Sequence, residues 1–177
     1  MIRTLAELDA EVGGPSAWVE RWACLARAPV LDVACGKGRH ARFFAAQGVE
    51  VVAVDRDEQS IPGVRFVQAD LEDGSPWPFA GRRFGGIVVT NYLHRPLLPV
   101  LAQSLAEGGV LIYETFMLGN EKFGKPSNPN FLLRPGELLQ AFAGLTVAAF
   151  EQGTTDKAVV QRICVIQAAV GSVRIPA

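Results

Sequence analysis

The sequence predicts a single α/β domain built on a seven-stranded, mostly parallel sheet, with helices on both faces and an antiparallel last strand. Three observations carry this. First, residues 30–55 run strand, glycine turn, helix, strand, a βαβ unit whose right-handed crossover makes its strands parallel. Second, five further apolar strand candidates follow it. Third, the last two are joined by only about six residues, too few for a parallel crossover, so that pair must be antiparallel.

Taken in order, Ser16-Ala-Trp-Val-Glu-Arg-Trp places Trp18, Trp22 and Leu25 at helical spacing behind a capping Ser16, which predicts an amphipathic lead-in helix over 16–28, within a lead-in region 1–28. VLDVAC (30–35) reads as a buried strand entering Gly36-Lys37-Gly38, and Arg39 to Gln47 as a helix stopped by Gly48. Strands are predicted at 49–55, 64–70, 85–93, 108–116, 145–151 and 158–168, with helices at 96–107 and 135–143, each starting near a proline. Only 56–63 and about 71–84 remain for the second and third crossovers, which must be brief or irregular. There is no internal repeat or linker, so 1–177 reads as one domain.

Composition narrows the function. Seventeen basic against eighteen acidic residues give a formal charge of -1, so no global positive field recruits nucleic acid or an anionic membrane; a local patch could draw only on Arg82, Arg83 and Arg95. Cys24, Cys35 and Cys164 form no C-x-x-C pair, so no metal is expected and a reducing cytoplasm is the expected compartment. The N-terminus lacks a signal-type apolar run, and no stretch is long enough to span a bilayer.

The sharpest chemical signal is Leu31-Asp32-Val33-Ala34-Cys35-Gly36-Lys37-Gly38-Arg39-His40. A strand opening through Gly-x-Gly into a helix lets a ligand approach bare backbone. Asp55 closes the next strand nineteen residues after Gly36, where a carboxylate can accept both hydroxyls of a ribose, and Asp70 closes the third. Three acids at three strand ends, in register with the glycines, fall on the edge where open α/β sheets bind ligands.

These motifs resemble class I S-adenosylmethionine-dependent methyltransferases: LDVACGKG is similar to the family's first motif, VVAVDRD to its second and QADLED to its third. CGKGRHARFFA and NYLHRPLLP look most like small bacterial tellurite-resistance-type and related uncharacterised members. The resemblance implies a three-layer Rossmann-like sheet, S-adenosylmethionine as cofactor and S-adenosylhomocysteine as product. It also implies roles. Asp32 would organise the turn and approach the methionine amino group, while Cys35, Gly36 and Gly38 would border the methionine and ribose. Asp55 would hold the ribose hydroxyls, Arg56 would flank the adenine, and Asp70 and Leu71 would address its edge. Asn91 would lie beneath the methionine end. The sequence departs from the family pattern at His40, where a third glycine is common, and in the missing helix after the second strand; exchanging His40 for glycine is expected to change cofactor affinity little.

Two other readings stay open. Gly36-Lys-Gly-Arg-His-Ala41 formally satisfies the G-x-G-x-x-A of a nicotinamide-dependent oxidoreductase, although Asp32 would then face a pyrophosphate. A cofactor-binding subunit without chemistry is the other. On the acceptor side, methyl transfer needs alignment more than acid-base machinery. If a proton must leave, His94, Tyr92 and Glu114 are the candidate catalytic residues, with His94 equally readable as the cap of the helix near Pro96. Asn91-Tyr92 lacks the Pro-Pro of base-modifying methylases, so a small-molecule acceptor is expected over nucleic acid, with no membrane partner. The connection 117–134, with Phe123, Phe131 and Leu132, is expected to act as a lid.

Overall fold

The computed structural model describes residues 13–168 and Arg174. The part of the lead-in region before residue 13 lies outside them. Among the described residues are seven strands, β1 (Val30–Val33), β2 (Val51–Asp55), β3 (Arg65–Gln68), β4 (Phe84–Thr90), β5 (Leu105–Phe116), β6 (Thr146–Thr154) and β7 (Val159–Ile166), in the order β3-β2-β1-β4-β5-β7-β6. Four α-helices accompany them: α1 (Ala17–Trp22), α2 (Arg39–Ala45), α3 (Leu98–Gln103) and α4 (Glu137–Ala141).

The first five strands are mutually parallel, and β7 runs antiparallel to both β5 and β6. The reversed strand thus sits inside the sheet, with β6 at the edge. Central β1 is buried along its whole length because parallel strands flank it and helical layers cover both faces. Alternation sends Leu31, Val33, Ile87, Val89 and Leu111 to one core, with Leu98, Leu101 and Leu138 of α3 and α4. It sends Val30, Val88, Val110 and Ile112 to the other, with Trp18, Trp22, Ala41 and Phe44 of α1 and α2. Asp32 falls on that second face, which is why a carboxylate is buried there.

The three-layer expectation holds, and several boundaries move. Ser16 caps as expected, its Oγ accepting from Val19 N at 3.2 Å, but α1 ends at Trp22 and a single 3-10 turn, Ala23–Leu25, follows. The helix expected over 96–107 stops at Gln103, and Leu105 already pairs with Phe84 as β5 begins. The sheet wins there because Gly108 N donates to Gln167 O at 2.7 Å and Gln167 N returns a bond to Gly109 O at 2.9 Å, extending β5 backwards. Neither 56–64 nor 69–83 contains a helix, as the short crossovers required.

Candidate functional site

The carboxyl ends of β1, β2 and β3 converge on a glycine turn. Ala34 and Gly36 adopt left-handed φ of 51° and 52°, and Gly38, the N-cap of α2, has φ 77°. At Gly38 the positive φ favours glycine, and a Cβ there would also displace the end of the Ile61 side chain. A Cβ on Gly36 would meet nothing within 4 Å, so its bare backbone faces open space. Gly36 N donates to Asp55 Oδ2 at 2.8 Å, and Asp55 Oδ1 accepts from Asp57 N at 3.1 Å, which ties the end of β2 across the turn.

That open space is a cavity of ≈ 340 Å³ whose walls include Ala34, Gly36, Asp55, Arg56, Asp70 and Tyr92. Leu71, Asp57, Ala69 and Glu72 complete it. The structure therefore brings together Gly36, Asp55, Arg56, Asp70, Leu71 and Tyr92 of the residues expected there. Four carboxylates stand against one guanidinium, a field that favours a cationic ligand group and opposes a pyrophosphate.

Asp32, Cys35 and Gly38 stand behind the wall. Asp32 Oδ2 accepts from Ala41 N at 2.9 Å, capping α2 from the strand below, and burial pushes its pKa up to about 7. Burial also raises the Cys35 thiol, which leaves it inert as a nucleophile. His40 is buried as well: Ser16 N donates to its Nε2 at 3.2 Å, Thr90 Oγ1 lies 3.4 Å from Nδ1, and desolvation lowers its pKa to about 3. Exchanging His40 for glycine would open a void and orphan the Ser16 amide, a cost to stability.

Beyond β4 the acceptor-side residues separate. Tyr92 lines the main cavity and also an adjoining one of ≈ 210 Å³, together with Asn91, Thr115, Phe116, Pro126 and Phe131. Burial and then the neighbouring Glu72, Asp70 and Asp55 carboxylates raise its phenol, so Tyr92 stays neutral and donates. His94 lines a third cavity of ≈ 580 Å³ with Trp77 and Val100, its Nδ1 3.9 Å from Glu72 Oε2. Glu114 is buried in an ion pair with Arg162 and lines none of these cavities. Asn91, with φ 55°, is held through its N–H on Glu114 O at 2.9 Å.

The 117–134 connection is pinned at both ends. Leu118 N and Leu133 N bond Leu133 O and Phe116 O at 2.9 and 3.0 Å, and the buried Asn120 accepts from Val159 N and donates to Pro126 O. Arg95 grips Glu137 with a 2.6 Å bond and donates to Asn130 O and Leu132 O at 2.8 and 2.9 Å. Phe131 reaches the adjoining cavity; Phe123 is exposed and lines none of the cavities named above. Glu72, which lines all three cavities, was not singled out from sequence. Its signal was its place two residues after Asp70, whose Oδ1 accepts from Glu72 N at 2.9 Å.

Residues 30–109 match the methyltransferase domain family. Over 97 residues the chain is 35% identical to the trans-aconitate 2-methyltransferase of Methylobacterium nodulans, a match covering 49% of this chain and 37% of that protein. The chain thus spans little more than a third of this curated relative. Among solved structures, TehB from Haemophilus influenzae superposes with a TM-score of 0.66 at 15% identity, over 85% of this chain and 61% of that one. A TehB-like S-adenosylmethionine-dependent methyltransferase from Corynebacterium glutamicum gives 0.62 at 18% identity, over 90% and 92%. The matched domain begins at β1, the strand that opens into the glycine turn, and the superpositions take in most of the sheet. Residues 30–109 are thus similar to the methyltransferase domain family, and the chain shares the fold of these solved structures.

Proposed function

We propose that this chain binds S-adenosylmethionine at the glycine turn and transfers its methyl group to a small-molecule acceptor in the adjoining cavity. The observation that carries the reading is the acidic cavity walled by the bare backbone of Gly36 and by Asp55. The residues present fit the cofactor. Asp55 uses one acceptor site on each oxygen for Gly36 and Asp57, and a carboxylate offers about four, so two ribose hydroxyls can still be accepted. Asp70 and Leu71 would border the adenine and Arg56 would flank it. The surplus of carboxylates suits the cofactor's sulfonium and ammonium.

When bound, the cofactor supplies an electrophilic methyl group on sulfur. The protein's part is positioning: Tyr92, shared by the two cavities, separates cofactor from acceptor, and Pro126 and Phe131 cover the acceptor side against water. Asp32 serves this arrangement by fixing the turn through Ala41 N, and Cys35 and Gly38 by shaping it. Neutral Tyr92 is a donor toward the acceptor, His94 stands 3.9 Å from Glu72, and the backbone carbonyl of Glu114 positions Asn91. The polycarboxylate named for the Methylobacterium relative is not carried over, because no cation lines the adjoining cavity among the described residues.

The free thiols Cys24, Cys35 and Cys164 support a reducing compartment, the cytoplasm. Among the described residues no helix is long and apolar enough to cross a membrane. Calorimetry with S-adenosylmethionine, S-adenosylhomocysteine and NADH tests the assignment. The adenosyl compounds are expected to bind in the micromolar range, about -8 kcal/mol. Tight NADH binding with neither adenosyl compound bound would establish the oxidoreductase instead, and binding without methyl transfer to any acceptor would leave a subunit without chemistry.

A further inference from the structure

We infer that the methyl acceptor is a small organic amine, recognised by Glu72 and an aromatic enclosure in the cavity of ≈ 210 Å³ beside the cofactor site. The inference rests on the methyltransferase reading and names its substrate class. At ~30 Å³ per water-sized group the cavity holds about seven such groups, enough for one ring or a short chain.

Its chemistry selects by charge. Glu72 is the one ionisable acid or base among its lining side chains apart from the Tyr92 phenol, which is neutral. Arg95 and Arg134 both open onto a separate cavity with Leu118 and Pro129, where Arg95 is held by Glu137 and two backbone carbonyls. Arg162, on β7, is taken up by Glu114 and Glu151. A carboxylate, thiolate or oxyanion acceptor would therefore meet the Glu72 carboxylate with no cation among the residues lining the cavity. An ammonium would meet that carboxylate and three aromatic side chains, Tyr92, Phe116 and Phe131, suited to a cation.

The same placement serves the transfer. The ammonium releases one proton to solvent on the way in, and the neutral nitrogen's lone pair then forms the N–C bond. The sulfur–carbon bond breaks with its electron pair left on sulfur, so positive charge moves from sulfur to nitrogen. Glu72 lines both cavities and faces the positive charge before and after this move, whereas a residue confined to the cofactor side would stabilise only the starting state.

The test is binding to the protein saturated with S-adenosylhomocysteine, read by calorimetry with four size-matched probes: benzylamine, benzyl alcohol, benzoate and benzyl mercaptan. Benzylamine is expected to bind best. Glu72→Gln is expected to weaken benzylamine about tenfold while leaving benzyl alcohol within about twofold; the side chain is 47% exposed, so the variant will fold, which its melting temperature verifies. Equal or tighter binding of benzoate or benzyl mercaptan, no binding of benzylamine, or an unchanged benzylamine affinity in Glu72→Gln overturns the inference. Failure to load S-adenosylhomocysteine at all is read before any probe is added; it removes the methyltransferase reading, and this inference with it.

Discussion

Asp32 and His40 sit in one glycine turn, both buried, and burial moves them in opposite directions. Asp32 rises from 3.8 to about 7, so between those values the folded chain keeps a proton that the unfolded chain has released, and its contribution to stability is lost as pH rises through 7. His40 falls from 6.5 to about 3, so the unfolded chain takes up a proton that the folded one refuses, and stability is lost as pH falls through that window. In the overlap the two slopes oppose each other. We therefore expect Asp32→Asn to become more stable as pH rises from about 4 to 6.5, relative to wild type, and His40→Gln to become less stable over the same range. Urea unfolding at a series of pH values measures both, and parallel profiles for all three proteins would refute the assignment. Asp55 belongs to the same scale. Asp55→Ala should weaken S-adenosylmethionine by about 1.5–3 kcal/mol through loss of a charge-assisted bond, with a modest stability loss from the freed Gly36 amide. Calorimetry beside a melting curve separates the two effects. Asp32, Asp55 and Asp70 were legible because strand period and glycine register fix their positions. Glu72 was not, because an exposed turn carboxylate looks like any solvated charge until three cavities are seen to meet on it.

Among the elements, the 117–134 connection was legible as a functional loop by length alone, and its covering residue Phe131 by its apolar character. Its anchoring was not, because Arg95 read as a surface charge. The structure gives that guanidinium a two-pronged grip on Glu137 and two carbonyl acceptors, so one side chain ties α4, the turn before α3 and the covering segment together. Arg95→Ala should free residues 128–134, seen as faster amide exchange confined to that stretch. The pair is partly exposed, so the stability cost should be only about 1 kcal/mol. Acceptor turnover should fall while cofactor affinity holds. Unchanged exchange in 128–134 would mean that the backbone bonds to Phe116 and Leu133 alone hold the segment. The misplaced end of the 96–107 helix has a related cause: Leu105 and Ala106 are good helix formers locally, and only pairing with β4 and with the residue after β7 makes them strand.

For the molecule as a whole, the strand count and the antiparallel pair could be read from connection lengths, but not that β7 would insert between β5 and β6. That insertion buries Gln161 between β5 and the edge strand β6. Its Oε1 accepts from Leu138 N at 2.7 Å, at the start of α4, and its Nε2 donates to Arg134 O and to Gln152 Oε1, both at 3.1 Å. One fully buried amide thus joins the reversed strand, the edge strand β6, the end of the covering segment and α4. No sequence pattern marks it, since a lone glutamine in an apolar strand gives no hint of its partners. Gln161→Ala would leave the Leu138 N–H without its partner, at about 1–3 kcal/mol, and open a void in a fully buried site, while Arg134 O and Gln152 Oε1 would keep the Glu137 and Gly136 amides. We expect a loss of about 2–3 kcal/mol, or roughly 4–12 °C in melting temperature for a domain of this size. Cofactor binding at β1–β3 should hold in the folded protein, because Gln161 lies on the other half of the sheet. Gln161→Glu separates packing from hydrogen bonding: it keeps the volume and the acceptor but loses the donor, and its destabilisation should shrink as pH is lowered and the carboxyl regains a proton to donate. If both variants melt with the wild type at every pH, the junction carries no stability and β7 is held by its ladder alone.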